Sequence, residues 1–186
     1  NEAGVQIATV EHLMAALAGC EIDNVIIEVN GMEVPIMDGS AEPFVFLIEC
    51  AGTVHQNAAR RVLCVKKPVF ILEGGAEASL TPASVDQPDL TIDLNIDFNN
   101  AAIGQQNLSL TISSSSFKSE ICRARTFGFM EDVEALRQSG LAKGGSLENA
   151  IVVNENKILN ENGLRHRHEF VGHKILDCLG DLMLSG

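Results

Sequence analysis

Apolar residues recur at helical spacing in several parts of the chain. In TVEHLMAALAG (9–19) they return every three to four positions, with Thr9 suited to cap the helix and Gly19 to end it. The same criteria predict further helices over 42–52, 114–124, 130–140 and 168–184. Serine is the predicted cap of the helix at 114–124, and glycine ends those at 42–52 and 130–140.

Other stretches have the apolar runs or the alternation that are typical of strands. LTIDLNIDF (90–98) alternates with period two, and NVIIEVNGMEVPI (24–36) predicts two strands joined by the hairpin-forming pair Asn30–Gly31. The other predicted strands are VFILE (69–73), EASLTP (77–82), NLSLTIS (107–113), AIVVN (150–154) and KILN (157–160). Because helices and strands mix without a regular βαβ alternation, the pattern favours an α+β fold.

Composition then excludes several classes of function. The chain is 46% hydrophobic and 20% charged, as globular proteins are, and no apolar run approaches the roughly 20 residues of a membrane span. No leader sequence is visible. The net charge of −12 would repel nucleic acid, so we expect no such partner. Five scattered cysteines without a CxxC motif predict a reducing, cytoplasmic location rather than disulfides or a thiolate zinc site.

The last predicted helix carries the candidate chemistry. His173, Asp177 and Asp181 are spaced i, i+4, i+8 and share one face. An imidazole and a carboxylate one turn apart can bind one metal ion, but a catalytic zinc site uses three protein ligands and a water. His12 is the best third ligand, because it alone among the other histidines lies in an apolar periodic segment. Its neighbour Glu11 is suited to act as general base on the metal-bound water.

Each of these residues also has an ordinary structural interpretation. A lone histidine such as His12 is more often a core or surface residue, and a His/Asp pair one turn apart is more often a hydrogen bond on a helix surface. Lys174 and Asp181 are more often solvated charges, and GFMEDVEALRQSG (128–140) is more often a packing helix than a lid. Spacing and composition alone leave both interpretations open.

Four motifs in order carry a resemblance to a known family. They are TVEHLMAAL, VPIMDGSAEPF, ARTFGFMEDVEALRQSGLAKGGSLENAIVV and LRHRHEFVGHKILDCLGDL. Together they closely resemble the zinc-dependent UDP-3-O-acyl-N-acetylglucosamine deacetylases of Gram-negative bacteria, over nearly the whole chain. The resemblance implies hydrolysis of the substrate's N-acetyl group, with release of acetate, at the committed step of lipid A biosynthesis.

The resemblance also implies the architecture. It predicts an α+β protein of two similar two-layer α/β sandwich domains with the active site between them. Residues 1–60 would be the later part of an incomplete first domain, and residues 61–186 the second domain. An insert at about 127–151 would form a hydrophobic passage for the acyl chain of the substrate.

Specific residues take roles by the same resemblance. The implied metal ligands are His12, His173 and Asp177, which hold zinc, although iron(II) suits these donors almost as well. The implied catalytic residues are Glu11 as general base, Thr126 as oxyanion stabiliser, Lys174 for substrate binding and charge stabilisation, and Asp181 as the partner of a catalytic histidine. The implied substrate-binding residues are Phe98 at the uridine end, Phe117, Phe127, Phe129, Gly145 and Ser146.

Two functions follow as expectations. The family extends beyond both ends of this sequence, and its general-acid histidine comes after the last residue here, so we expect an internal fragment of a deacetylase. The alternative is a zinc-binding fragment with impaired catalysis. In either case the expected partner is a UDP-linked acylated glucosamine, and we expect a monomer. A peptide or polysaccharide deacetylase would differ by not being inhibited by a UDP-sugar product.

Overall fold

The computed structural model describes residues 4–86, 88–140 and 142–185. The helices are α1 (Glu11–Gly19), α2 (Glu42–Ala51), α3 (Ser114–Ser116), a π-helix (Phe117–Ile121), α4 (Met130–Gln138) and α5 (Glu169–Met183). The strands are β1 (Val69–Glu73), β2 (Ala76–Leu80), β3 (Thr91–Asp97), β4 (Gln105–Thr111), β5 (Phe127–Phe129), β6 (Ile151–Asn154) and β7 (Lys157–Ile158). This mixture confirms the α+β class. None of the described helices is both long and apolar enough to cross a membrane.

Three small sheets are formed by neighbouring segments of the chain. Strands β1 and β2 pair antiparallel, as do β3 and β4. In the third sheet β6 lies between β5, which is parallel to it, and β7, which is antiparallel. Helix α4 lies between the parallel strands β5 and β6 in the sequence, so β5, α4 and β6 form one βαβ unit, which begins with the predicted insert and ends beyond it.

The prediction of a hairpin at 24–36 was wrong. This segment contains no strand and contributes only an isolated parallel bridge between Ala8 and Glu33. Most of its side chains are exposed, and Ile26 is 91% exposed, whereas Val34 is buried. A lone two-stranded hairpin is marginal in water. Exposure alone does not explain the missing hairpin, because β1 and β2 are exposed throughout and still pair.

The start of α1 also differs from the prediction. Val10 occupies the N-cap position, and no side chain caps the helix. Thr9 adopts a positive φ of 57°, and its hydroxyl donates to the Glu33 carboxylate instead. By contrast, the predicted serine cap before α3 is confirmed, because the Ser113 hydroxyl accepts from the Ser116 N–H in a capping box.

The main core lies where α1 packs against α5. The helices approach so closely that a Cβ atom on Gly180 would overlap the Glu11 carbonyl. This core joins residues from before and after position 60, so the division into domains at 60/61 stays a prediction. Its buried members are Ala15, Ala16, Val34, Ala41, Phe44, Val45, Ile92, Phe117, Ile121, Cys122, Ile175, Leu176 and Leu179. A second cluster, around Ile151, Val153, Phe170 and Val171, packs β6 against α5.

Candidate metal centre

Three side chains from α1 and α5 converge beside the helix crossing. The ligand atoms of His12, His173 and Asp177 all lie within 4.8 Å of one another. Oδ1 of Asp177 is 3.3 Å from Nε2 of His173 and 3.7 Å from Nε2 of His12. The two imidazole rings stand nearly perpendicular, with their centroids 4.9 Å apart. The structure therefore brings together the three residues that were predicted to bind metal.

Both histidines are buried and held in the neutral form. Burial lowers the pKa of His12, and the attraction of Asp177 only partly opposes this effect. Burial also lowers the pKa of His173 to about 4, again against the opposing charge of Asp177. A neutral imidazole offers a lone pair, which a metal ion needs from a histidine ligand.

A hydrogen bond to the backbone orients the His173 ring within the cluster. Nδ1 of His173 lies 3.0 Å from the Ala124 carbonyl oxygen, which can only accept, so Nδ1 carries the proton and Nε2 keeps its lone pair. Oδ1 of Asp177 is buried without a hydrogen-bond partner among the described residues. Such an orphaned acceptor is costly, and a bound cation would offset the cost. Two imidazole nitrogens and one carboxylate oxygen fit zinc.

Lys174 and an aromatic group adjoin this cluster. The Lys174 ammonium donates to Oδ2 of Asp177 over 3.1 Å and lies 5.4 Å from the centre of the Phe127 ring. Phe127 is 6.4 Å from the His173 ring and packs edge-on against Phe98 at 5.7 Å. Phe129 lies 6.0 Å from Phe98. Three of the predicted substrate-binding phenylalanines thus form one half-buried surface next to the candidate metal centre.

The predicted general base lies next to a predicted metal ligand. Glu11 is half-buried in the first turn of α1, and its charge acts on His12. Asp181 is on the exposed side of α5, where partial desolvation and then the carboxylates of Glu11 and Asp177 raise its pKa. The carboxylates of Glu11 and Asp181 and the Lys174 ammonium therefore lie near the carboxylate of Asp177.

Thr126 is fixed through its backbone rather than its side chain. Its N–H donates to the Gly39 carbonyl and its carbonyl accepts from the Ile151 N–H, each over 2.8 Å. Gly39 has a positive φ of 83°, and a Cβ atom there would overlap the Asn149 carbonyl. Only glycine fits this turn, which belongs to the predicted VPIMDGSAEPF motif. The turn thereby holds the strand that begins at Phe127.

The remaining predicted residues have different surroundings. Phe117 is fully buried in the main core, where its ring leaves no room for a Cβ on Gly19. This burial argues against the predicted place of Phe117 in an acyl passage, because the wall of a passage must present surface to its occupant. Gly145 and Ser146 lie in the loop after α4, where Arg137 donates to the Gly145 carbonyl and Asn149 accepts from the Ser146 N–H.

A buried ion pair was missed by the sequence reasoning. Glu169 is fully buried, and its oxygens accept from Nε and Nη2 of Arg125 at 2.8 and 3.2 Å. Arg165 extends the network to Asp38, which its Nη2 reaches over 2.8 Å. The available signal was that Glu169 lies one turn before His173, and that Arg125 comes directly before Thr126.

An α+β fold whose two histidines and one aspartate converge at a helix crossing has the donor set of metal-dependent hydrolases. Comparison with known families then identifies the particular group. The sequence model of the UDP-3-O-acyl N-acetylglycosamine deacetylase family matches residues 2–186, and the chain belongs to that family. The resemblance that the four motifs carry is thereby confirmed.

Individual relatives agree with the family match. Proteins named UDP-3-O-acyl-N-acetylglucosamine deacetylase from Saccharophagus degradans, Photobacterium profundum and Myxococcus xanthus are each 54% identical to the chain, over 185, 188 and 183 residues respectively. These alignments cover 98%, 100% and 98% of this chain and 60%, 60% and 57% of the relatives. The chain therefore spans about 60% of the length of the curated relatives that it matches.

Proposed function

We propose that this protein binds one zinc ion through His12, His173 and Asp177 and hydrolyses the N-acetyl group of UDP-3-O-acyl-N-acetylglucosamine. The observation that carries the proposal is the convergence of two neutral imidazoles on the orphaned Oδ1 of Asp177. The names of its relatives supply the reaction. Family membership and this donor set together favour a metal-dependent amide hydrolase over an interaction module.

The residues of the chain divide the proposed reaction between them. A bound zinc ion would supply the Lewis acidity that activates water and polarises a carbonyl oxygen. Glu11, next to the ligand His12, would take the proton from the attacking water. Thr126 would donate a hydrogen bond to the oxygen that becomes negative, and the Lys174 ammonium would stabilise the same charge. As the C–N bond breaks, the leaving nitrogen would take up a proton equivalent to the one that Glu11 received, and the acetamide would yield acetate and a free amine on the sugar.

The surroundings of the centre suit an acylated sugar nucleotide. The aromatic surface of Phe98, Phe127 and Phe129 offers apolar contact beside the reactive groups. The Lys174 ammonium at its edge offers a cation for the anionic substrate. We further propose that the protein acts as a monomer in the cytoplasm.

The first test combines metal content with acetate release. Elemental analysis should find about one zinc per chain in the wild type and none in Asp177→Ala, since a catalytic zinc site needs all three protein ligands. Asp181→Ala is the matched control on the same face of α5, and it should retain the metal. Zinc and iron(II) are loaded separately after chelation, because the ligands suit both ions.

Acetate release is then measured on UDP-3-O-acyl-N-acetylglucosamine, UDP-N-acetylglucosamine and an acetylated peptide. Release from the acylated sugar nucleotide alone, inhibited by the deacetylated product, supports the proposed reaction. A chain that lacks metal under all conditions contradicts the proposal. Metal binding without acetate release from any substrate would leave the alternative of a catalytically impaired zinc protein.

A further inference from the structure

Glu169 is a fully buried carboxylate to which the proposed reaction gives no role. It lies in the first turn of α5, four residues before His173. Its Oε1 accepts hydrogen bonds from the main-chain N–H of Arg125 at 3.1 Å and from Arg125 Nε at 2.8 Å. Its Oε2 accepts from Arg125 Nη2 at 3.2 Å and from the main-chain N–H of Arg165 at 2.6 Å. Four donors therefore fix the position of this carboxylate.

The main-chain N–H of Arg125 belongs to the same peptide unit as the Ala124 carbonyl. That carbonyl accepts the hydrogen bond from Nδ1 of His173 over 3.0 Å. In a trans peptide the N–H and C=O groups lie in one plane and point in opposite directions. Glu169 and His173 lie one turn apart on α5, so a single helix holds both ends of one peptide unit.

On the basis of the proposed metal centre, we propose that Glu169 is a positioning residue for the His173 ring and acts through the Ala124–Arg125 peptide unit. By fixing the N–H, Glu169 fixes the direction of the carbonyl. The carbonyl in turn requires the proton of His173 to be on Nδ1 and leaves the lone pair of Nε2 facing Asp177. The negative charge of Glu169, which accepts from the N–H, also polarises the peptide unit and makes its carbonyl a stronger acceptor.

This arrangement places a peptide unit between a carboxylate and a metal-binding histidine. In many metal sites a carboxylate or a carbonyl contacts the ligand histidine directly and sets its tautomer, and the loss of such a partner typically lowers metal affinity about 10- to 100-fold. Here the carbonyl makes the direct contact and the carboxylate orients the carbonyl. Ala124 and Glu169 are both buried, which shields from water the contacts that join Glu169 to His173 through the peptide unit.

If the Glu169–Arg125 pair only stabilised the fold, removal of both charges would have a different effect. Replacing a buried ion pair by apolar side chains of similar volume is often neutral for stability, because the desolvation cost disappears with the charges. The double variant Glu169→Met/Arg125→Met therefore separates the two roles. It leaves no unpaired buried charge, yet it removes the acceptor of the Arg125 N–H.

The experiment reads the His173 tautomer in the metal-free chain by nitrogen NMR, and zinc affinity by competition with a chelating dye. In the wild type His173 should show only the tautomer with the proton on Nδ1. In the double variant we expect a mixture of tautomers and an affinity for zinc that is lower by about 10- to 100-fold. Glu169→Gln keeps an acceptor oxygen, so it should retain the tautomer and most of the affinity, with the Nδ1 proton resonance shifted upfield.

Asn160→Ala is the matched control for loss of a buried polar side chain. Asn160 is 7% exposed and makes three hydrogen bonds to the backbone around β6, away from the 124–125 peptide. It should lower stability without changing the His173 tautomer.

Three results would overturn the proposal. They are an unchanged tautomer and zinc affinity in the double variant, the same tautomer mixture in Asn160→Ala, and an unchanged Nδ1 proton resonance in Glu169→Gln. The Nδ1 proton resonance of Glu169→Gln tests the positioning role of Glu169 even if the double variant does not fold. Failure of the wild type to bind zinc would contradict the proposed function, whereas the tautomer measurement would still test the positioning role of Glu169.

Discussion

The Lys174 ammonium donates a hydrogen bond to Oδ2 of Asp177 over 3.1 Å, while Oδ1 of the same carboxylate is buried and has no hydrogen-bond partner in the part of the chain that the structure describes. One carboxylate thus presents two different oxygens: one is paired with a cation of the protein, and the other is directed at two neutral histidines. This difference between the two oxygens favours binding of a metal ion by Asp177 through Oδ1 alone.

Removal of the Lys174 ammonium should therefore change how Asp177 binds a metal. In Lys174→Met the freed Oδ2 can join Oδ1 on the ion, which would raise the coordination number. We expect metal to be retained, but the visible absorption of the Co²⁺-loaded protein to weaken as the site departs from four-coordinate geometry. Lys174→Arg keeps a donor at this position and serves as the control. Identical spectra for wild type and Lys174→Met would contradict this account.

The spacing between α1 and α5 should control metal affinity, because the ligands come from both helices. A Cβ atom at Gly180 would overlap the Glu11 carbonyl, so Gly180→Ala must push the helices apart. We expect zinc affinity to fall at least about tenfold and the free energy of unfolding to fall by about 1–3 kcal/mol.

Gly172→Ala is the control for the Gly180 variant, since it changes the same helix in the same way. The nearest atoms to its new Cβ would lie 3.5 Å or more away, an ordinary contact distance. Alanine favours a helix over glycine by about 1 kcal/mol, so this variant should be as stable as the wild type or more stable. Chemical denaturation and zinc titration of both variants check the prediction, and equal zinc affinities would refute it.

Loss of the Phe127 ring should affect both stability and substrate affinity. Its edge-on contacts with Phe98 and Phe170, at 5.7 and 4.9 Å, connect the aromatic surface to the second core cluster. Because the ring is half-buried, we expect Phe127→Ala to lower the free energy of unfolding by about 2 kcal/mol. Phe46, which is 63% exposed, is the control, and Phe46→Ala should change stability by less than about 0.5 kcal/mol.

The same variant tests the proposed substrate. If the aromatic surface contacts the acyl chain, Phe127→Ala should raise KM more for a long-chain substrate than for a short-chain one. Steady-state kinetics on two acyl lengths measure this difference. An equal rise in KM for both lengths would mean that the ring does not contact the chain.

Acid should weaken the fold through Glu169. Burial alone would raise the pKa of Glu169, but the hydrogen bonds from Arg125 and from the Arg165 and Arg125 amides outweigh it and hold the pKa below the usual 4.5. A carboxylate with a lowered pKa in the folded state stabilises the fold above its unfolded pKa and loses that effect as pH falls through the folded value. We therefore expect this contribution to be complete above pH 4.5 and to decline below it.

Comparison with Glu169→Gln isolates this contribution from that of other titrating groups. Denaturant unfolding in the presence of a chelator gives the free energy of unfolding of both proteins at each pH. The wild type should be the more stable by a constant amount above pH 4.5, and the difference should shrink at lower pH. Parallel curves throughout the acid range would show that Glu169 titrates alike in the folded and unfolded chains.

Much of the secondary structure follows from local pattern. The four long helices α1, α2, α4 and α5 formed where apolar spacing predicted them. For α1, α2 and α4 a glycine also marked the predicted end. The stretch 24–36 has an equally clear strand pattern, yet it forms no strand. Exposure does not distinguish this stretch from β1 and β2, which pair although every residue in them is exposed. The alternation of apolar residues alone therefore does not determine whether two strands pair.

The candidate site shows the same limit. Helical periodicity placed His173 and Asp177 on one face, and the apolar context of His12 made it the best third donor, but only the fold shows that their atoms meet. Glu169 and Arg125 could not be paired from sequence, because they are 44 residues apart and each is charged within an otherwise ordinary segment. A residue that acts through a backbone carbonyl has no partner side chain whose spacing in the sequence could reveal its role.

The close crossing of α1 and α5 has a consequence for biosynthesis. His12 leaves the ribosome long before His173 and Asp177 are made, so α1 lacks its metal-binding partners while the segment between them is synthesised. A contact between such distant segments forms late and slowly, after the chain between them has collapsed. Metal capture would then be delayed until α5 has been synthesised, so an occupied site would show that translation had passed Asp177.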